Sequence, residues 1–174
     1  MVERAVLPEL LKRRAEAIAA RWYDAVLAEY PEQTYAAWKR ESDRFANPVG
    51  HSLKVGTRTI LDAVLEGADA ETLRGAMAEI VRIRAVQQMS PSAAVGFVFR
   101  LKDAIRAELG DELRNGSLHE EMVEMEQRVD ALALAAFDVF TEQRELVSEL
   151  RINELKRNIP WATGRTNRGV VEPG

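Results

Sequence analysis

Apolar residues recur every three or four positions along almost the whole chain, and no stretch alternates with period two. That spacing places one apolar stripe on a helix, so the pattern predicts an all-α fold of about six helices. The first helix is expected to start at Pro8, a favoured first-turn residue, and to carry Leu11, Ile18, Trp22 and Ala25 on one side until Tyr30-Pro31. A short helix with Tyr35, Trp38 and Phe45 follows. Asn47-Pro48 reads as a cap and first-turn pair, after which Val49, Leu53, Gly56, Ile60 and Val64 share a face that ends at Gly67. Asp69 caps a fourth helix with the stripe Leu73, Met77, Ile80, Arg84 and Gln87, and Glu71 suits its first turn. Ser90-Pro91 stops it and opens a fifth helix carrying Phe97, Val98, Leu101, Ile105 and Leu109, with a turn at Gly110.

The last segment has a different character. Ser117 and Glu120 have capping-box spacing, and from Ser117 to about Asn158 there is neither Pro nor Gly. An unbroken helix of that length spans roughly 60 Å. A compact body of this size has a radius of gyration near 15 Å, so part of the helix is expected to project. Val129 to Phe140 is apolar nearly all round, as a buried helix is, whereas residues 141–158 are amphipathic with a thin seam of Leu146, Leu150 and Leu155. The predicted organisation is therefore a body over residues 1–140, a helical extension over 141–158 for dimer or partner contact, and an extended tail over 159–174. Trp161 in that tail is a candidate anchor for another protein, or a residue that tucks against its own domain.

Composition narrows the function classes. The 174 residues suit one domain, with 47% hydrophobic and 30% charged residues. There is no cysteine, which excludes disulfides, thiolate metal sites and a cysteine nucleophile. A net charge of -4 argues against nucleic acid held on a basic face. The amino terminus is charged throughout and no run of about 18 apolar residues occurs, so neither a signal peptide nor a membrane span is expected. The expected location is the cytoplasm.

Candidate chemistry is sparse. His51 falls opposite the apolar face of its helix, and His119 stands beside Glu120 and Glu121 without a second ligand at metal-binding spacing, so no metal site is expected. No phosphate-binding, dinucleotide or nucleophile-elbow motif occurs, and no enzymatic activity is expected. The charges near the core carry more information. Arg84 lies on an apolar stripe, while Asp130 and Asp138 lie within the most apolar stretch. Buried charges are normally paired, so an Arg–Asp pair fixing helix packing is the first expectation. The alternatives are Arg84 reaching to the surface, or a small polar ligand between the helices that competes for Arg84 or Lys102.

Four stretches resemble a known family: "FANPVGHSLKVG", "IVRIRAVQQMSPSAAVGFVFRLK", "RVDALALAAFDVF" and "RELVSELRINELKR". Over roughly residues 8 to 158 the chain resembles the amino-terminal domain of the RsbRD-type RsbT co-antagonist proteins. The resemblance implies a globin-like, haem-free sensory domain without a bound cofactor, whose exiting helix carries a signal towards a phosphorylatable STAS domain in a stress-signalling complex. The fourth helix contains no histidine, in keeping with a haem-free domain. The chain continues only sixteen residues after Asn158, with no STAS domain or phosphoacceptor region read there, so direct co-antagonist activity in the manner of the full-length proteins is not expected. Stand-alone versions resemble small accessory proteins of sulfur metabolism that accompany a membrane redox complex linked to dissimilatory sulfite reductase. The expected partners are thus signalling or redox-complex proteins or a second copy of the chain, and a haem- or small-molecule-binding sensor is the remaining alternative.

Overall fold

A computed structural model describes residues 6–41, 43–114 and 117–157. Among these residues every regular element is helical: α1 (Val6–Leu27), α2 (Glu32–Arg40), α3 (Pro48–Glu66), α4 (Ala70–Val86), α5 (Pro91–Gly96), α6 (Arg100–Arg114) and α7 (His119–Arg157). The caps follow the sequence signals. The Asn47 side chain accepts from the Gly50 amide, Asp69 from Thr72 and Ser90 from Ala93. Gly67 closes α3 in the left-handed region at φ 70°, where a side chain would be strained. At the Asp69 cap, hydrogen bonding from the Thr72 backbone holds the carboxyl below its ordinary pKa.

The large helices close a ring around one core. α1 packs on α3 and α6, α3 on α4, and α4 on α7, while α7 returns to α5 and α6. Leu11, Ile18 and Trp22 from α1 meet Leu53 and Ile60 from α3, Met77 and Ile80 from α4, and Val129 and Leu132 from α7 in the same buried cluster. Gly56 sets the closeness of α3 and α4, because a Cβ there would lie 2.8 Å from the Ile80 side chain. α2 buries no residue. It is a satellite held by Tyr30 against Trp38 (ring centroids 5.0 Å apart) and by Asn47 Nδ2, which donates to the Trp38 and Glu41 carbonyls.

Three expectations are corrected. Phe45 is not part of α2 but stands exposed in the turn before α3. The single helix expected after Ser90-Pro91 is two, α5 and α6, joined by tight i→i+3 turns through Phe97–Phe99. There the Trp22 indole donates to the Phe97 carbonyl at 2.7 Å, and its ring stacks on Phe97. The Phe97 carbonyl also accepts from the Arg100 amide in the tight turn, so the junction is fixed by a tertiary and a local bond together. The turn expected at Gly110 is a local break, with φ 16° and ψ -90°, but helix resumes beyond it to Arg114.

α7 is the long element the sequence implied, 39 residues and therefore about 58 Å. Its first part is fixed to the body by polar contacts as well as apolar ones. Glu121 accepts from the Leu7 amide, Glu126 pairs with Arg106, and Glu142 pairs with Arg74. Arg144 donates to the Ala85 carbonyl at the end of α4, at 3.3 Å. Residues 148–157 are all exposed. From Arg144 onward the helix therefore runs about 20 Å with progressively less of the body beside it. The stretch Val129 to Phe140 is not buried all round as expected. Leu134 is 70% exposed and Phe137 is also exposed, because the small alanines among them let one side turn to solvent.

Candidate functional site

Two regions hold the residues singled out in the sequence: a buried guanidinium at the meeting point of α1, α4 and α5, and the free end of α7.

Arg84 follows Met77, Ile80 and Val81 on the buried side of α4, and its side chain is fully buried. Nη1 donates to Glu29 Oε2 and to the Ala93 carbonyl, both at 2.8 Å. The guanidinium carbon lies 4.8 Å from the Phe97 ring centroid and 5.7 Å from that of Tyr30, so two aromatic faces supply further cation–π attraction. Nε and Nη2 are buried and find no partner in the protein. Each such donor costs about 1–3 kcal/mol when left unsatisfied. Glu29 sits in the turn that ends α1, and its second oxygen lies 3.7 Å from Arg100 Nε. One carboxylate thus stands between a buried and an exposed arginine. Burial pushes the Tyr30 hydroxyl above its ordinary pKa, keeping it protonated, and it donates to Gln87 Oε1 at 3.0 Å.

The expected Arg–Asp pair does not form. Asp130 and Asp138 are exposed, on the outward side of α7, and the buried arginine takes Glu29 from α1 instead. Lys102 pairs with Asp130 at 2.6 Å across α6 and α7, with the Lys102 ammonium 5.8 Å from the Phe99 ring centroid. Arg84, Lys102, Asp130 and Asp138 are therefore not one network. The structure joins only Lys102 with Asp130. Glu29 was the residue the sequence reading missed, because it lies 55 positions from Arg84 and belongs to a turn rather than a stripe. A glutamate in the turn beside Tyr30 was the available signal, but spacing alone could not link it to α4. His51 and His119 are both exposed. Among the described residues no three His, Cys, Asp or Glu side chains are grouped as metal ligands would be.

The end of α7 is organised by its spacing. Met122, Met125, Val129, Leu132, Ala136 and Val139 alternate steps of three and four residues, and all are buried. The same steps continue with Gln143, which is half-buried, then Leu146 and Leu150, which are 49% and 58% exposed. This is one apolar register, begun inside the body and continued where exposure rises. Leu155 is also exposed, at 62%, but it falls five residues after Leu150. Five residues turn a helix by roughly 140°, so Leu155 belongs to a different side, with Ile152. Ile152, with Phe137, Phe140 and Pro91, walls a groove of about 500 Å³ that does not extend to Leu155. Trp161 and the rest of the tail over 159–174 lie outside the described residues.

The class is an all-α body with one helix running out of it, and among the described residues no helix is long and apolar enough to cross a bilayer. The family follows from comparison. The model of the RsbT co-antagonist protein rsbRD N-terminal domain matches residues 16–155, and the chain belongs to that family. The match runs past Phe140 through Leu146, Leu150 and Leu155, so the projecting part of α7 lies within the family pattern. No curated protein and no solved structure matches the chain.

Proposed function

We propose that the chain is a non-catalytic, haem-free sensory or regulatory module that acts through protein contacts of the free end of α7, most simply by pairing with a second copy. Family membership supports the regulatory class. The observation that carries the docking role is the seam. Apolar positions that are buried as far as Val139 keep their three-and-four spacing through Leu146 and Leu150, where the body no longer covers them. A second helix laid along this side would remove the two leucines from water, worth about 1.5–3 kcal/mol for each one fully buried. Gln143 within the seam is a polar position of the sort that fixes register in helix pairs.

The Leu146→Asp, Leu150→Asp double variant tests this. Both sites are exposed, so the monomer keeps its fold, and circular dichroism checks that it does. Sedimentation is expected to move towards a lighter species, or pull-down of a partner to fail. An unchanged sedimentation profile together with an unchanged pull-down removes α7 from the docking role.

A further inference from the structure

Between α1 and α6 lies an open cleft of about 430 Å³. It exists because both sides present methyl groups where longer side chains would fill the gap: Ala25 from α1 and Ala28 from the turn after it, Ala104 and Ala107 from α6. Its walls are charged, with Arg21 and Arg100 accompanied by Glu29 and Asp103. The two arginines differ. Arg21 is hydrogen-bonded through Nε to Glu108 at 2.7 Å. Arg100 lies 3.7 Å from Glu29 and 3.8 Å from Asp103, beyond hydrogen-bond reach of either. Its charge is balanced while its donors remain open. Glu29, at the inner end, is held through its other oxygen by Arg84 at 2.8 Å. That guanidinium has two buried nitrogens without a partner. Two arginines therefore draw on one carboxylate, and the buried one is under-supplied.

We propose that this cleft binds a small organic carboxylate, its oxygens taken by Arg100 with Arg21 across the mouth and its apolar part on the alanine floor, and that binding releases Glu29 from Arg100 to serve Arg84 alone. The fork of an arginine matches a carboxylate in two parallel bonds, which neither Glu29 nor Asp103 makes with Arg100. The volume suits a compact molecule, at the lower end of small-ligand sites. The methyl floor favours an organic anion over an inorganic one. The consequence reaches α7 in two steps. Arg84 holds the Ala93 carbonyl at the start of α5, and the adjacent Ala85 carbonyl is the one that Arg144 grips where α7 leaves the body. The proposal rests on the sensory reading above, for which it names the ligand class.

The test is a titration of the full chain with sodium butyrate, with sodium phosphate and sodium chloride alongside, read by the ¹⁵N resonances of the Arg100 and Arg84 Nε–H groups. Butyrate is expected to shift both in a saturable way, and Arg100→Ala is expected to weaken binding at least about tenfold while leaving the melting temperature unchanged. Equal shifts with chloride would mean an ionic-strength effect and overturn the site. Saturation by phosphate but not by butyrate would overturn the organic carboxylate. A shift at Arg100 with none at Arg84 would overturn the hand-over of Glu29. The same titration on the Leu146→Asp, Leu150→Asp variant separates this proposal from the docking role: butyrate shifts persist there whatever sedimentation reports.

Discussion

The two ends of α7 share one helix and one spacing but differ in what covers them. From Met122 to Val139 the seam is buried against the body, and its apolar area contributes to the fold. From Gln143 to Leu150 the same spacing runs on with progressively less cover, Gln143 half-buried and Leu150 58% exposed. Propensity does not distinguish the halves, since both consist mostly of good helix formers, Ala, Leu, Met and Glu in the inner half and Leu, Glu, Arg and Lys in the outer. What differs is the supply of neighbours. Isolated helical segments are marginal in water, so the outer half depends on continuity with the inner half for its helical state. The inner half is a structural member, and the outer half is an exposed helix whose direction is set by the inner one.

The sharpest way to break this comparison is to place the same charge in each half. Val129→Asp puts an unpaired carboxylate in the core and is expected to cost more than about 4 kcal/mol, enough to lose the folded state in urea titration. Leu150→Asp is expected to leave monomer stability within about 0.5 kcal/mol. Equal losses would mean that the outer seam is already covered within one chain. Next in size, Arg84→Ala leaves Glu29 without its buried partner and is expected to cost about 3–5 kcal/mol. A urea midpoint that does not move would show that this guanidinium contributes nothing to the junction beside the α7 exit.

The smallest effect concerns the start of α4, the helix on which the inner half of α7 rests. The folded-state pKa of Asp69 lies below its unfolded value, so the ionised cap stabilises the fold above the ordinary carboxylate range. That contribution is lost as pH falls through the depressed folded value. Asp69→Asn keeps a capping oxygen without the charge, and is expected to flatten the acid side of the stability profile while leaving neutral pH nearly unchanged. An acid limb identical to that of the unmodified chain would remove the ionised cap from the account.

Much of the helical frame was legible because its signals are local. Asn47, Asp69, Ser90 and Gly67 act within four residues of themselves, and each ends or begins a helix where its chemistry requires. The break at Phe97–Phe99 was not legible, because the lone Gly96 before it is a weak local signal and the contact that seals the junction comes from a tryptophan 75 positions away. The same reason hid the partner of Arg84. A stripe tells that a charge is buried, not which distant turn neutralises it. Asp130 and Asp138 misled for the opposite reason: alanine counts as apolar in a pattern, yet it buries little and leaves its neighbours free to face water. The seam through Leu146 and Leu150 was visible as a pattern, but its continuity with the buried register is a property of the folded helix.

Arg144 gives α7 a fulcrum. The grip on the Ala85 carbonyl sits at the last point where body and helix are tied by a hydrogen bond, with thirteen residues beyond it. A tilt of about 5° there sweeps the tip near Arg157 by about 1.7 Å over its 20 Å arm. The same tilt moves Leu150, about 9 Å beyond the fulcrum, by only about 0.8 Å, so the displacement grows with distance from the α4 contact.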